Sequence, residues 1–216
     1  MFCLAEHPKL ELNHMNQRII GITGGIATGK TTVSDYLHQT YGLPILDADL
    51  YARQALTGDR LAKLRDRYGK LIFDDQGCLD RRKLGAIVFE SELERQWLEG
   101  LIHPYVQECL IAEAKHLEPS TVVMVIPLLF EAKMQELVTE IWAIVCDPLQ
   151  QLQRLINRNH LSESEALQRI SSQMSQSEKI ELADVVVVNS DDTEELFFQV
   201  DRALLNSSLG VFLNVL

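Results

Sequence analysis

Apolar residues fall along this chain in two alternating patterns. Short unbroken runs at residues 19–22, 43–46, 121–126, 141–146 and 184–189 (DVVVVN) have the length and branching of strands buried on both faces. Between and after them the apolar positions recur at helical spacing. Such helices follow the first run, follow residue 148, start at the Ser162-Glu163-Ser164-Glu165 capping box, and close the chain over 193–205. Strand and helix in alternation predict an α/β fold, a five-stranded parallel sheet flanked by helices. The long interval from 50 to 117 is helical, with only a weak strand signal at 70–73 and a polar, hairpin-like stretch at 73–78. It reads as a helical insertion between two strands. Its amphipathic segment 92–115 is interrupted at His103-Pro104, where the missing donor and the restricted preceding residue predict a helix boundary or a kink.

The turn that follows the first strand changes the picture most. Gly24-Gly25-Ile26-Ala27-Thr28-Gly29-Lys30-Thr31 matches G-x-x-x-x-G-K-[ST], and Thr32 continues into the helix. Gly24 and Gly29 allow successive N–H groups to point at phosphate oxygens. Lys30 directs a point charge to the β- and γ-phosphates, the Thr31 hydroxyl suits Mg²⁺, and the helix start favours an anion. A strand before and a helix after are the context this motif requires. The chain is predicted to bind a nucleotide.

Composition excludes more than it adds. Of 216 residues, 46% are hydrophobic and 24% charged, as in ordinary globular proteins, and no apolar run is long enough to span a bilayer. A net charge of −11 argues against a nucleic-acid-coating surface. The four cysteines, Cys3, Cys78, Cys109 and Cys146, form no C-x-x-C pair, which disfavours zinc or disulfides and suits a reducing cytoplasm. The first fourteen residues lack the apolar centre of a signal peptide. Met15 stands just before the first strand, so translation is expected to start there, or 1–17 to form a flexible extension. The final GVFLNVL is apolar and has no assigned role.

Two acids, Asp47 and Asp49, end the second strand, where a doubly wound sheet places its crevice. One would accept the proton of an attacking hydroxyl, the other cap the helix that follows. Arg53 lies four residues beyond Asp49 on the same helical face. Among Arg81, Arg82 and Lys83, Arg81 is preferred as a cation for an anionic acceptor. Asp147-Pro148 imitates a strand-end metal ligand but is a better helix start. Arg154 and Arg158 share one face and suit a phosphate clamp over the nucleotide, with Arg169 on the next helix. Asn189, after the last strand, is a candidate to read the base.

The ordered series GITGGIATGKTTV, ILDADLYAR, LDRRKLGAIVF, LIHP, IPLLFE, QLQRLINRN and ADVVVVNS resembles the dephospho-coenzyme A kinases over roughly residues 18–205. The resemblance implies a P-loop kinase core (18–48 and 119–206), a helical acceptor-binding domain (49–118), and a lid near 150–175, with 207–216 as a tail. It implies transfer of the γ-phosphate of ATP, with Mg²⁺, to the ribose 3′-hydroxyl of dephospho-coenzyme A, and no nucleic-acid or membrane partner. By motif match Asp49 is the base and Asp47 structural or a water ligand to the metal. Arg53, Arg81, His103, Leu129 and Glu131 face the acceptor, and Arg154 and Arg158 belong to the lid. Two positions depart from the family pattern: Ala27 replaces a usual glycine, and Asn159-His160 replaces a frequent acid. A nucleoside or nucleoside-monophosphate kinase is the alternative, although it does not explain LIHP or PLLFE. A switch GTPase would need N-K-x-D, which does not occur. Oligomeric state is not legible in these motifs.

Overall fold

The computed structural model describes residues 17–190 and 192–207. The expectations for residues 1–16, the Met15 start among them, and for the apolar tail from 208 lie outside the described residues. In chain order the elements are β1 (Arg18–Thr23), α1 (Lys30–Tyr41), β2 (Ile45–Asp47), α2 (Ala48–Ala55), α3 (Gly58–Tyr68), α4 (Arg81–Glu90) and α5 (Glu92–His116). There follow β3 (Thr121–Val125), a 3₁₀ turn at Gln135–Leu137, β4 (Glu140–Val145), α6 (Pro148–Asn159), α7 (Glu163–Ser171), α8 (Gln176–Leu182), β5 (Val185–Val188) and α9 (Thr193–Ser207).

The chain divides into two compact units, one built on the sheet and the other formed by Ala48–Ala112. In the sheet unit the five predicted strands pair in parallel in the order β2-β3-β1-β4-β5. Ile20 pairs with Val123 on one side and Glu140 on the other, so β1 is central. Connections leave β1 and β4 towards opposite edges of the sheet, which opens a crevice beyond their C-terminal ends. Ile20, Ile22, Val33, Leu37, Trp142, Ile144, Val187 and Val200 form the core between sheet, α1 and α9. β4 begins one residue earlier than its apolar run because Glu140, though buried, is compensated: it accepts from Arg18 at 2.7 and 3.0 Å and from the Trp142 indole at 3.1 Å. Gln17, expected to belong to the flexible extension, is buried and donates to the carbonyls of Leu117 and Pro119.

The helical unit has its own core of Leu56, Leu64, Tyr68, Ile72, Phe73 and Leu84, with Trp97 and Leu101 packed against it. The weak strand signal at 70–73 resolves into a single antiparallel bridge, Phe73 to Leu79, closing the polar hairpin. Glu94 accepts from Arg67 at 2.7 and 2.9 Å and from the Tyr68 hydroxyl at 2.6 Å. These partners hold its carboxyl down at about 2. Of the boundary or kink predicted at His103-Pro104, the boundary is not there: α5 spans 25 residues with Pro104 inside it. Trp97, Leu98, Leu101 and Ile102 before the proline, and the buried Val106 and Leu110 after it, make packing outweigh the roughly 3 kcal/mol local penalty. Among the described residues no helix is long and apolar enough to cross a membrane.

Candidate phosphate-binding site

The loop between β1 and α1 needs its glycines for stated reasons. Gly24 has φ 149°, and a Cβ there would strike the Ile144 carbonyl oxygen of β4. Gly29 has φ 103°, and a Cβ there would strike the Asn189 amide. Gly29 is also the N-cap of α1 and brings no side chain to occupy the first helical amides, which leaves them for an anion. Thr31 and Thr32 are exposed on that first turn.

Ala27 adopts φ 62°, the left-handed conformation that glycine takes without cost. The loop therefore accepts the strain, on the order of 1–3 kcal/mol, rather than avoiding the angle. The neighbouring peptides are fixed. The Ile26 N–H donates to Gln173 Oε1 at 2.8 Å, and the Ile26 carbonyl accepts from Gln151 Nε2 at 2.8 Å. Thr28, expected among the ATP contacts, is fully buried, and its hydroxyl donates to the Gly25 carbonyl at 3.0 Å, so its side chain closes the loop from within. Lys30 Nζ donates to the Gly24 and Gly25 carbonyls at 2.9 and 2.8 Å, folded over the loop it serves.

The opposite wall comes from β4, β5 and α6. Asp147 caps α6, accepting from the Leu149 and Gln150 amides, with Pro148 in the first turn, so the helix-start reading holds. Arg154 donates to the carbonyls of Asn189 at 3.0 Å and Ser190 at 3.3 Å. Asn189 in turn donates to the Thr28 carbonyl at 2.8 Å, and a half-buried cation is thereby tied through the end of β5 to the loop. That engagement is to the loop backbone and does not bear on a base-reading role for Asn189. Arg158 is exposed and donates to Asn159 Oδ1 at 2.9 Å, so this asparagine supplies an acceptor where the resemblance leads one to expect an acid. Cys146, at the end of β4, has its thiol pushed up by burial, with Arg154 opposing, and is a poor nucleophile.

Two residues expected to face the acceptor are engaged elsewhere. Leu129 is wholly buried, so its side chain shapes the PLLFE turn from beneath. Glu131 accepts from Lys179 at 2.9 Å through both oxygens, and from the Met174 amide at 3.1 Å. Lys179, only 1% exposed, also donates to the Pro127 carbonyl at 3.3 Å. Glu131 is thus the counter-charge of a buried lysine. Glu131→Ala is expected to cost about 3 kcal/mol, because it leaves that buried ammonium without its counter-charge and with the Pro127 carbonyl as its remaining acceptor. Denaturant unfolding measures this, and an unchanged midpoint would contradict the assignment. Sequence reasoning missed Lys179 and α8, although Ser175-Gln176-Ser177-Glu178 repeats the capping-box signal and forms one.

In the helical unit, Asp49 lies in the first turn of α2, one residue inside the helix, and is exposed; Asp47 ends β2. Arg81, the first residue of α4, donates to the Arg53 carbonyl at 2.7 Å, so these two predicted cations stand together. His103 has its pKa lowered by burial, with Glu99 opposing, and at neutral pH offers a hydrogen bond rather than a charge.

No group of three or more His, Cys, Asp or Glu is arranged to hold a metal among the described residues. At the loop, the exposed Thr31 hydroxyl is the donor that the motif assigns to a metal. That fits Mg²⁺, which is held through few protein oxygens together with phosphates and waters.

Comparison with known proteins agrees with this geometry. The dephospho-CoA kinase family model matches residues 18–195. A dephospho-CoA kinase of Synechocystis sp. is 54% identical over 190 residues, 87% of this chain and 94% of that protein. One of Gloeobacter violaceus is 44% identical over 197 residues, 90% of this chain and 95% of that protein. Among solved structures, TT1252 from Thermus thermophilus superposes with a TM-score of 0.78 at 32% identity, covering 90% of this chain and 98% of that one. A dephospho-CoA kinase from Campylobacter jejuni gives 0.65 at 25% identity, covering 89% and 98%.

Proposed function

The chain belongs to the dephospho-CoA kinase family, an enzyme of the last step of coenzyme A synthesis, and from that premise we propose how its residues divide the transfer of the ATP γ-phosphate to the ribose 3′-hydroxyl. The observation that carries the reading is the span of the family match, residues 18–195, which takes in the phosphate loop and every acceptor-side residue named above.

The amides from Gly24 to Thr32, with Lys30, bind the triphosphate and neutralise it. Mg²⁺, held by the Thr31 hydroxyl, would supply further neutralisation of phosphate charge. Asp49 accepts the proton of the 3′-hydroxyl as its oxygen bonds to the γ-phosphorus and the bond to the β–γ bridging oxygen breaks, releasing ADP. Arg53 and Arg81 meet the anionic acceptor as cations, and His103 as a neutral hydrogen-bonding group. Arg154 and Arg158 close on the transferring phosphoryl and exclude water. A cytoplasmic location goes with this reading, as does the absence of a nucleic-acid or membrane partner.

Arg154→Ala is expected to lower kcat about 10²-fold, the scale of one lost charge-stabilising donor. The two lost bonds to carbonyls cost about 1–3 kcal/mol of stability, so the variant stays folded. Steady-state kinetics beside a melting curve separate the two, and an unchanged kcat removes Arg154 from the clamp. The function itself is tested by a coupled ADP-release assay in which dephospho-coenzyme A is offered beside AMP, UMP and nucleosides. ADP release with dephospho-coenzyme A alone is expected. Preference for a nucleoside or a monophosphate would return the chain to the alternative kinase class.

A further inference from the structure

The left-handed Ala27 sits in the loop between two peptide groups that are held from outside it. On its N-terminal side, the Ile26 N–H donates to Gln173 Oε1 at 2.8 Å, and the Ile26 carbonyl accepts from Gln151 Nε2 at 2.8 Å. On its C-terminal side, the Thr28 carbonyl accepts from Asn189 at 2.8 Å. The glutamines are themselves fixed. Gln151, 3% exposed, accepts through Oε1 from Gln176 Nε2 at 2.9 Å, and Gln176 Oε1 accepts from the Cys146 N–H at the end of β4 at 2.8 Å. A relay of side-chain amides thus runs from the sheet to the loop, every donor matched to an acceptor.

None of these glutamines titrates, and their bonds end on the loop backbone, so they act through the loop. Their effect is conformational. An alanine resists the left-handed region, and with Ile26 released on both faces the peptide entering Ala27 is free to rotate. The Ala27 N–H is one of the amides that the phosphate-binding conformation must present. Gln173 lies in the turn between α7 and α8, outside any helix, where its side-chain oxygen accepts from the Ile26 N–H.

We propose that Gln173, seconded by the Gln151–Gln176 relay, is a positioning residue that holds Ala27 in its left-handed conformation and so keeps the loop set for the ATP phosphates. The proposal rests on the reading of residues 24–31 as the ATP phosphate site. It makes a specific claim about energetic coupling. The bond from Gln173 should matter much more with alanine at position 27 than with glycine, which needs no help to hold that angle.

The test is the Kd of the full-length protein for ATP in the presence of Mg²⁺, by isothermal titration calorimetry, in a double-mutant cycle of Gln173→Ala and Ala27→Gly. Removing the Gln173 side chain is expected to weaken ATP about tenfold in the Ala27 background and about twofold in the Ala27→Gly background. Equal losses in the two backgrounds, or no loss in either, overturn the proposal. Lys30→Ala in the same titration separates its failure from that of the site: if Lys30→Ala abolishes ATP binding while the cycle shows no coupling, the brace alone is wrong. If Lys30→Ala binds ATP normally, the phosphate-site reading falls and the proposal with it. Gln173→Asn, too short to reach Ile26, takes the place of Gln173→Ala should that variant not fold, and the same coupling is expected of it. Across the Gln173 and Ala27 variants the KM for dephospho-coenzyme A should stay level, which a general loss of structure would not allow.

Discussion

Asp49→Asn is expected to fold as the parent does and to lose turnover by roughly 10²-fold or more, the scale of a lost general base. The substitution is nearly isosteric, and Asp49 is exposed in the first turn of α2, where no core contact is disturbed. The change removes a negative charge near a helix N-terminus, worth about 0.3–1 kcal/mol, so the melting temperature should move little. What disappears is the group proposed to take the ribose proton. The loss should therefore fall on kcat, with the KM for ATP nearly level, because the role proposed for Asp49 is toward the acceptor hydroxyl and not toward the triphosphate. Turnover close to the parent's would remove Asp49 from the role and leave the neighbouring Asp47, the last residue of β2, as the acid to test.

Lys30→Ala is expected to reduce kcat/KM for ATP about 10²–10³-fold, the effect of deleting one preorganised charge from a transfer site. Lys30 is held now by the carbonyls of Gly24 and Gly25, so its removal also loosens the loop's own closure. The two effects point the same way and both weaken ATP. Lys30→Arg should not restore activity, since a planar guanidinium does not replace a compact ammonium against two converging carbonyls. A parental kcat/KM in either variant would contradict the assignment. Initial rates at varied ATP with saturating dephospho-coenzyme A give the number directly.

How far the sequence could be read depended on how local each cause was. The five strands were legible because parallel strands covered on both faces leave unbroken apolar runs, and all five appear in one sheet. The phosphate loop was legible because its glycines answer to backbone geometry, and the collisions at Gly24 and Gly29 are what the motif anticipates. The cap at Asp147 was decided by two adjacent residues. Where the cause was distant, the local pattern was an incomplete guide. Pro104 carries a local penalty that the apolar side chains around it in α5 override. Glu131 belongs to a motif that resembles acceptor-binding residues, and its partner Lys179 lies 48 positions away, inside α8. Ala27 was singled out correctly as a conflict between residue and angle. Its resolution by Gln173 and Gln151 spans more than 120 residues and has no trace in the loop's own sequence.

The central claim is a chemical one, that this chain adds one phosphoryl group to dephospho-coenzyme A. The most direct measurement is the mass of the acceptor after incubation with the purified protein, ATP and Mg²⁺. A product heavier than dephospho-coenzyme A by one phosphoryl group, absent without ATP and absent with Lys30→Ala, is the predicted result. An acceptor recovered at its original mass, while ATP is consumed or another hydroxyl compound is phosphorylated, would contradict it.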